Sequence, residues 1–203
     1  MGGGAFVKMK KEEIKKRFKE ETLTHKMEVK MDNGVYRHLI FSDGSNIMRF
    51  ELVTFPDYLC YVGDMGSFTF SRIEDMFEFF RGDSINPGYW SEKLEAVGRR
   101  CGYEKYSIEK IKEEMMIHFD SWKFERSQEK VDTLEELEDG ILNRETEEEA
   151  LRAVHEYESP AGHTFEDFDE CYAKEYTFHY IWCLYAIVWG ISEYDKKKAD
   201  IPF

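Results

Sequence analysis

The segment Tyr176–Ile191, YTFHYIWCLYAIVWGI, constrains this chain more than any other. It is apolar around its whole circumference, so as a helix it has no face to give to water and has to be enclosed. It falls short of the roughly 20 residues that a bilayer span needs, contains His179, and is flanked by Lys174, Glu175, Glu193 and Asp195. A buried central helix from about Glu175 to Tyr194 is therefore expected rather than a membrane span, with Lys196, Lys197 and Lys198 favourably placed at its negative C-terminal end. Such a helix needs a second surface to bury against.

The first third of the chain supplies that surface. Met27, Val29 and Met31 alternate with Lys26, Glu28 and Lys30, and the run ends at Asp32-Asn33-Gly34. Asn-Gly between alternating segments is a strong hairpin signal. Val35–Phe41 is the return strand, with Val35, Leu39 and Phe41 on one face, and Ile47–Phe55 is a third strand carrying Met48, Phe50 and Leu52 together. Tyr58–Val62 and Ser67–Phe70 flank the turn Gly63-Asp64-Met65-Gly66. The expectation is an antiparallel meander of about five strands, preceded by a charged helix whose thin apolar stripe is Met9, Ile14 and Phe18.

After Phe70 the pattern turns helical. Ser71-Arg72-Ile73-Glu74 and Thr133-Leu134-Glu135-Glu136 match the capping box of a helix start. Further helices are expected over Tyr89–Val97, Ser107–Arg126 and Glu145–Tyr157. A sheet followed by helices is an α+β arrangement. We expect a mainly helical C-terminal half that packs on the sheet, in a single domain over residues 1–203: a charged helix over 5–22, the meander over 23–70, and a helical part with an acidic surface over 71–203.

Composition matters chiefly through charge. The 203 residues carry a net charge of -14, yet residues 1–100 hold 16 basic and 16 acidic side chains. Between Glu125 and Glu175 there are 18 acidic and five basic residues. A field of this sign repels nucleic acid and attracts basic surfaces, including those that handle nucleic acid; the same surface would also serve simply to keep the protein soluble. Cys60, Cys101, Cys171 and Cys183 are widely spaced and fit neither a zinc ribbon nor a dense disulfide framework, which suits a reducing cytoplasm. No N-terminal stretch has the layout of a signal peptide.

The motifs for chemistry are sparse. His163, Glu166, Asp167 and Asp169 cluster in HTFEDFDE, and Glu175 and His179 stand at i, i+4, a spacing that can share a metal on one helix face. A metal-dependent enzyme or ligand-binding protein using His163, His179 and the neighbouring carboxylates is one alternative reading. Cys60 and His38 share the meander, and Cys183 lies one turn beyond His179, but Gly-x-Ser-x-Gly is absent. Gly63-Asp64-Met65-Gly66 lacks the spacing of a phosphate loop, and its Asp64 would repel phosphate. Arg81-Gly82-Asp83 matches an adhesion tripeptide by letter alone. Lys8, Lys10, Lys11, Lys15, Lys16, Arg17 and Lys19 form the one basic cluster, diluted by glutamates, so direct nucleic-acid binding is not expected. The cluster is suited to docking on the acidic half of a second copy, as a homodimer. Tyr89, Trp90 and Trp122 stand near element ends as candidate interface anchors. No catalytic residue, metal ligand or cofactor is assigned.

Taken together, YLCYVGDMGSFTFSRIEDMFEFFR (Tyr58–Arg81), INPGYWSEKLEA (Ile85–Ala96), EYTFHYIWCLYAIVWGI (Glu175–Ile191) and the hairpin YRHLIF (Tyr36–Phe41) resemble a widespread family of small proteins encoded by tailed phages and prophages of proteobacteria. The resemblance runs from about Thr24 to Tyr194 and is weakest between Ser127 and Gly162. It implies a phage accessory protein acting in the host cytoplasm, where small acidic proteins of this kind inhibit host defence systems such as CRISPR or restriction. With the charge distribution, it implies a non-enzymatic inhibitor that binds a basic host defence protein through Glu135, Glu136, Glu138, Asp139, Glu145, Glu147, Glu148 and Glu149. An oligomeric phage accessory protein is the third reading.

Overall fold

The computed structural model describes residues 11–99, 102–144, 146–166, 168 and 173–200. The chain is α+β, with a six-stranded antiparallel sheet in its N-terminal part and a mainly helical C-terminal half. It divides into two compact units: the chain up to Tyr103 together with the chain from Tyr176 onward, and Glu104–Glu175.

The first unit opens with helix α1 (Lys11–Glu21). Strands β1 (Lys26–Asn33), β2 (Tyr36–Ser42), β3 (Phe50–Phe55), β4 (Tyr58–Gly63), β5 (Gly66–Ser71) and β6 (Leu94–Val97) follow, hydrogen-bonded in sequence order. Asn33 pairs with Tyr36 across the expected Asn-Gly turn, where Gly34 takes a φ of 61°. Two short helices, α2 (Met76–Phe80) and α3 (Pro87–Ser91), lie between β5 and β6, and the unit closes with α7 (Phe178–Ala199). The alternation of β2–β5 points Leu39, Phe41, Phe50, Leu52, Leu59, Tyr61, Phe68 and Phe70 into a common core, each at most 1% exposed.

Helix α7 lies against that core. Trp182 meets Phe50 edge-on at 6.0 Å, and Trp189 meets Phe41 at 5.4 Å. At Gly190 a Cβ would come within 2.8 Å of Leu52 Cδ1 and 3.0 Å of Phe41 Cζ, so glycine permits the close approach. From the other side Phe18 of α1 contacts Trp182 at 5.0 Å and Trp189 at 5.9 Å. A helix apolar all round is thus enclosed by the sheet and by a second helix. Each of these large side chains contributes roughly 1.5–3 kcal/mol by leaving water.

Several local expectations need correction. The β1–β2 register shifts between Val29 and Met31, so Met31 pairs with outward His38 and lies 54% exposed, away from Met27 and Val29; a bulge inverts the alternation beyond it. Ser71 does not cap a helix. Its amide is spent on Lys93 O at 3.0 Å, and Asp75 caps α2 by accepting from Phe77 N at 2.9 Å. Tyr89–Val97 is not one helix: Leu94, Ala96 and Val97 pair with β5, whose open edge leaves backbone groups that need partners.

The second unit begins with β7 (Glu104–Tyr106), which pairs with β8 (Lys174–Tyr176). Between them run α4 (Ile108–Ser121), α5 (Ser127–Leu137), a π-helical turn (Glu138–Leu142) and α6 (Glu147–Glu156). Ser107 caps α4 and Thr146 caps α6 through their hydroxyls. Thr133, expected as a cap, is instead buried inside α5, which starts six residues earlier at Ser127. Ile111, Met115, Phe119, Leu137, Ile141, Ala150 and Val154 form the centre of this unit's own core.

Candidate partner-binding surface

Glu104–Glu175 holds 23 acidic and nine basic residues, a net charge of -14, whereas the rest of the chain holds 19 of each. The boundary of the fold unit is therefore also the boundary of the charge. The apolar stripes of α5 and α6 turn Leu137, Ala150, Leu151 and Val154 inward, and this periodicity leaves Glu135, Glu136, Glu138, Asp139, Glu148 and Glu149 exposed. Glu147 is half-buried, with Lys174 at 3.9 Å, and Glu145 lies outside the described residues.

Few cations answer these carboxylates. Lys112 reaches Glu138 at 3.2 Å and Arg152 reaches Glu148 at 3.0 Å. Asp139 accepts from the Asn143 amide at 3.3 Å. Among the described residues no cation pairs with Glu135, Glu136, Asp139 or Glu149. Glu129, Asp132 and Glu136 line a groove with Arg126, Gln128 and Pro160. Burial pushes the nearby Tyr157 phenol up to about 12, and the charge of Glu136 acts in the same direction.

The residues considered for chemistry are otherwise engaged. The His163 ring stacks on Trp122 at 4.9 Å and 7°, and its Nε2 lies 3.2 Å from the Lys123 carbonyl. Trp122 is half-buried among Phe119, Phe124, Tyr157 and Phe165. Glu175 and His179 do not share a helical turn: Glu175 sits on β8 with Lys105 at 3.1 Å, and α7 starts beyond the Thr177 cap. His38 and Cys60 occupy one cross-strand row with Val53 between them, so they stand two strands apart. The Cys183 thiol is buried and donates to Met65 O at 3.7 Å. Arg81 of the Arg-Gly-Asp tripeptide binds Asp195 through two nitrogens at 2.7 and 3.0 Å. Trp90 is 6% exposed, and Tyr89 carries Lys93 over its ring at 4.8 Å. Among the described residues no three His, Cys, Asp or Glu side chains converge as metal ligands, and no helix is long and apolar enough to cross a membrane. Asp167 and Asp169 lie outside the described residues, as do Lys8 and Lys10 of the basic cluster.

Sequence reasoning missed one polar cluster. Arg37, at an inward β2 position, is held by both carboxylate oxygens of Asp75 at 2.8 Å each, with its guanidinium 4.5 Å from the Phe77 ring centre. Tyr194 donates to Asp32 at 2.8 Å, and Lys198 meets Asp32 at 2.6 Å. Burial pushes the Asp75 carboxyl up, but hydrogen bonds from Arg37 and Phe77 N and the charges of Arg37 and Arg81 bring it below its ordinary value. Every member has a partner, so the cluster ties β1, β2, α2 and α7 together. The signal available was an arginine in an otherwise apolar inward row.

Comparison with protein-family models, curated proteins and solved structures found no match.

Proposed function

We propose that this chain is a phage-encoded, non-enzymatic inhibitor of a host defence system, of the anti-CRISPR or anti-restriction kind. It binds a basic, nucleic-acid-handling host protein in the host cytoplasm through the helices of Glu104–Glu175. The observation that carries this reading is the charge spacing along α5 and the π-helical turn. Residues 129–139 hold six carboxylates and one cation, Lys130. Lys130 lies 3.5 Å from Asp120. Ten residue steps cover roughly 15 Å of helix, so the net charge is about one per 3 Å, close to the roughly 3.4 Å per charge along one strand of a DNA duplex. A packed core behind the helix fixes that row in space, which a flexible acidic tail cannot do. The phage resemblance supports the setting.

The test replaces Glu135, Glu136, Glu138 and Glu148 and Glu149 by Gln and Asp139 by Asn together. Wild-type protein expressed in a host with active CRISPR or restriction is expected to raise phage plating at least 100-fold, and the sextuple variant to lose that protection. The captured host protein should release duplex DNA when the wild-type chain binds, with affinity falling steeply between low and high salt. Protection that survives the sextuple substitution, or binding indifferent to salt, would overturn the reading.

A further inference from the structure

Along α5 lies a groove of about 310 Å³, lined in part by Pro160 of the loop after α6. Glu129, Asp132, Thr133 and Glu136 line it from the helix, because spacings of three, four and seven residues place them on one face. Glu129 is half-buried, and among the described residues it meets neither a cation nor a hydrogen-bond donor. Asp132 accepts from the Gln128 amide at 2.8 Å and has no cation among the described residues. The favourable dipole of a helix start accounts for Glu129 in the first turn, but not for Asp132 or Glu136 beyond it.

Carboxylates alone would make only a solvated helix face. Thr133 makes the difference. It is 4% exposed, yet among the described residues its hydroxyl has no hydrogen-bond partner. Buried hydroxyls are ordinarily bonded. This one is neither bonded nor sealed inside the core, so it opens into the groove that Thr133 lines.

We propose that this groove receives one arginine side chain of a bound protein. It lies on the partner-binding surface proposed above, and it rests on that reading for where the arginine comes from. Three features select an arginine. Its volume, about 310 Å³, is at the low end of the ~300–1,000 Å³ of ligand sites, which gives room for one long side chain rather than a nucleotide. The acceptors are spread out: neighbours along the face stand roughly 5–6 Å apart at Cβ, and a guanidinium offers five donors in a plane where an ammonium offers three from a point. The charge also fits. Three carboxylates against Arg126, the one cation among the lining residues, leave the groove two charges negative. Arg126 pairs with no carboxylate among the described residues, so it does not already occupy the place.

The test titrates the full chain with the tripeptide acetyl-Gly-Arg-Gly-amide in low salt, followed by backbone amide NMR. Saturable shifts confined to residues 126–136 and their neighbours around Pro160 are expected. The same peptide carrying citrulline, the neutral analogue of arginine, should bind at least tenfold more weakly, and the lysine peptide at least threefold. Glu129→Gln should weaken binding at least fivefold and Thr133→Val at least threefold, while Thr133→Ser keeps it. Glu149→Gln, outside the groove, should change it less than twofold, and Arg126→Gln should tighten it at least twofold. Citrulline or lysine peptides that bind as well as arginine would overturn the proposal. So would a Thr133→Val chain that binds as wild type, or Glu149→Gln weakening binding as much as Glu129→Gln. Should the variants fail to fold, the wild-type spectra decide, and an absence of saturable shifts at 126–136 sinks the idea. The two readings fail separately. Peptide binding together with protection that survives the sextuple substitution removes the inhibitor and leaves the groove, whereas protection that needs those carboxylates without peptide binding removes the groove alone.

Discussion

The sheet unit and the unit Glu104–Glu175 place their ionisable side chains differently. In the sheet unit 19 acidic residues face 19 basic ones, and three of the pairings join elements far apart in sequence: Arg37 with Asp75, Arg81 with Asp195 and Lys198 with Asp32. In Glu104–Glu175 nine cations cannot answer 23 carboxylates, and among the described residues Glu135, Glu136, Glu148 and Glu149 stand on exposed helix faces. Charge is thus structural in one part of the chain and displayed in another. Where ions are paired and partly desolvated, as at Arg37, their loss is felt by the fold. Where they are solvated, their individual loss is nearly silent for stability, so their accumulation calls for a role outside the fold.

The largest test of this contrast removes the acidic unit. Thr177 N donates to Tyr103 O at 2.9 Å, so the sheet unit's chain ends already stand side by side. Excising Glu104–Glu175 and joining Tyr103 to Tyr176 through a short Gly-Ser bridge should leave a cooperatively folded sheet unit with net charge zero. Partner binding should fall more than 100-fold. A urea melt without a cooperative transition would break the division. Next in size, Asp75→Asn leaves Arg37 with half its partner in a site 9% exposed at the arginine side chain, and should cost roughly 2–4 kcal/mol. Hydrogen exchange should register the loss in β2, α2 and α7 and leave α4–α6 unchanged.

The acid limb of stability sharpens the same point. Burial pushes the carboxyls of Asp32, Asp75 and Glu51 up, yet each ends below its ordinary value because cations and hydrogen-bond donors favour the ionised form. The unfolded chain then takes up protons first as pH falls. The stabilisation is present above about pH 4 and is lost progressively toward pH 2. Urea melts of the excised sheet unit should show this slope, and Asp75→Asn should flatten it. Smaller again, raising NaCl from low salt to 0.5 M should stabilise Glu104–Glu175 by up to about 1 kcal/mol, by screening its self-repulsion, and leave the sheet unit nearly unmoved. Hydrogen exchange resolved by unit measures both. The smallest effect is expected for Tyr157→Phe. Among the described residues its hydroxyl makes no well-formed hydrogen bond and has only the Glu136 carboxylate close by, so removal should change stability by less than about 0.5 kcal/mol in thermal melts.

What the sequence determined by itself came from local rules. Alternation with Asn33-Gly34 sufficed for the β1–β2 hairpin, because turn geometry and side-chain period act over a few residues. The all-round apolarity of Tyr176–Ile191 sufficed for a buried last helix, and the excess of Asp and Glu beyond residue 100 was visible by counting. The tertiary structure decided whatever depends on groups distant in sequence. Leu94–Val97 became a strand because the β5 edge needed partners, and Ser71 stayed in the sheet because it pairs with Tyr58 at the end of β5 while Asp75 caps α2. Met31 turned outward because of a bulge beside it. Arg37 could enter the core only because Asp75, 38 residues away, waits there to pair with it. Only the fold shows that the acidic excess and the unit Glu104–Glu175 share one boundary, because that boundary is drawn by which residues pack together rather than by which are adjacent.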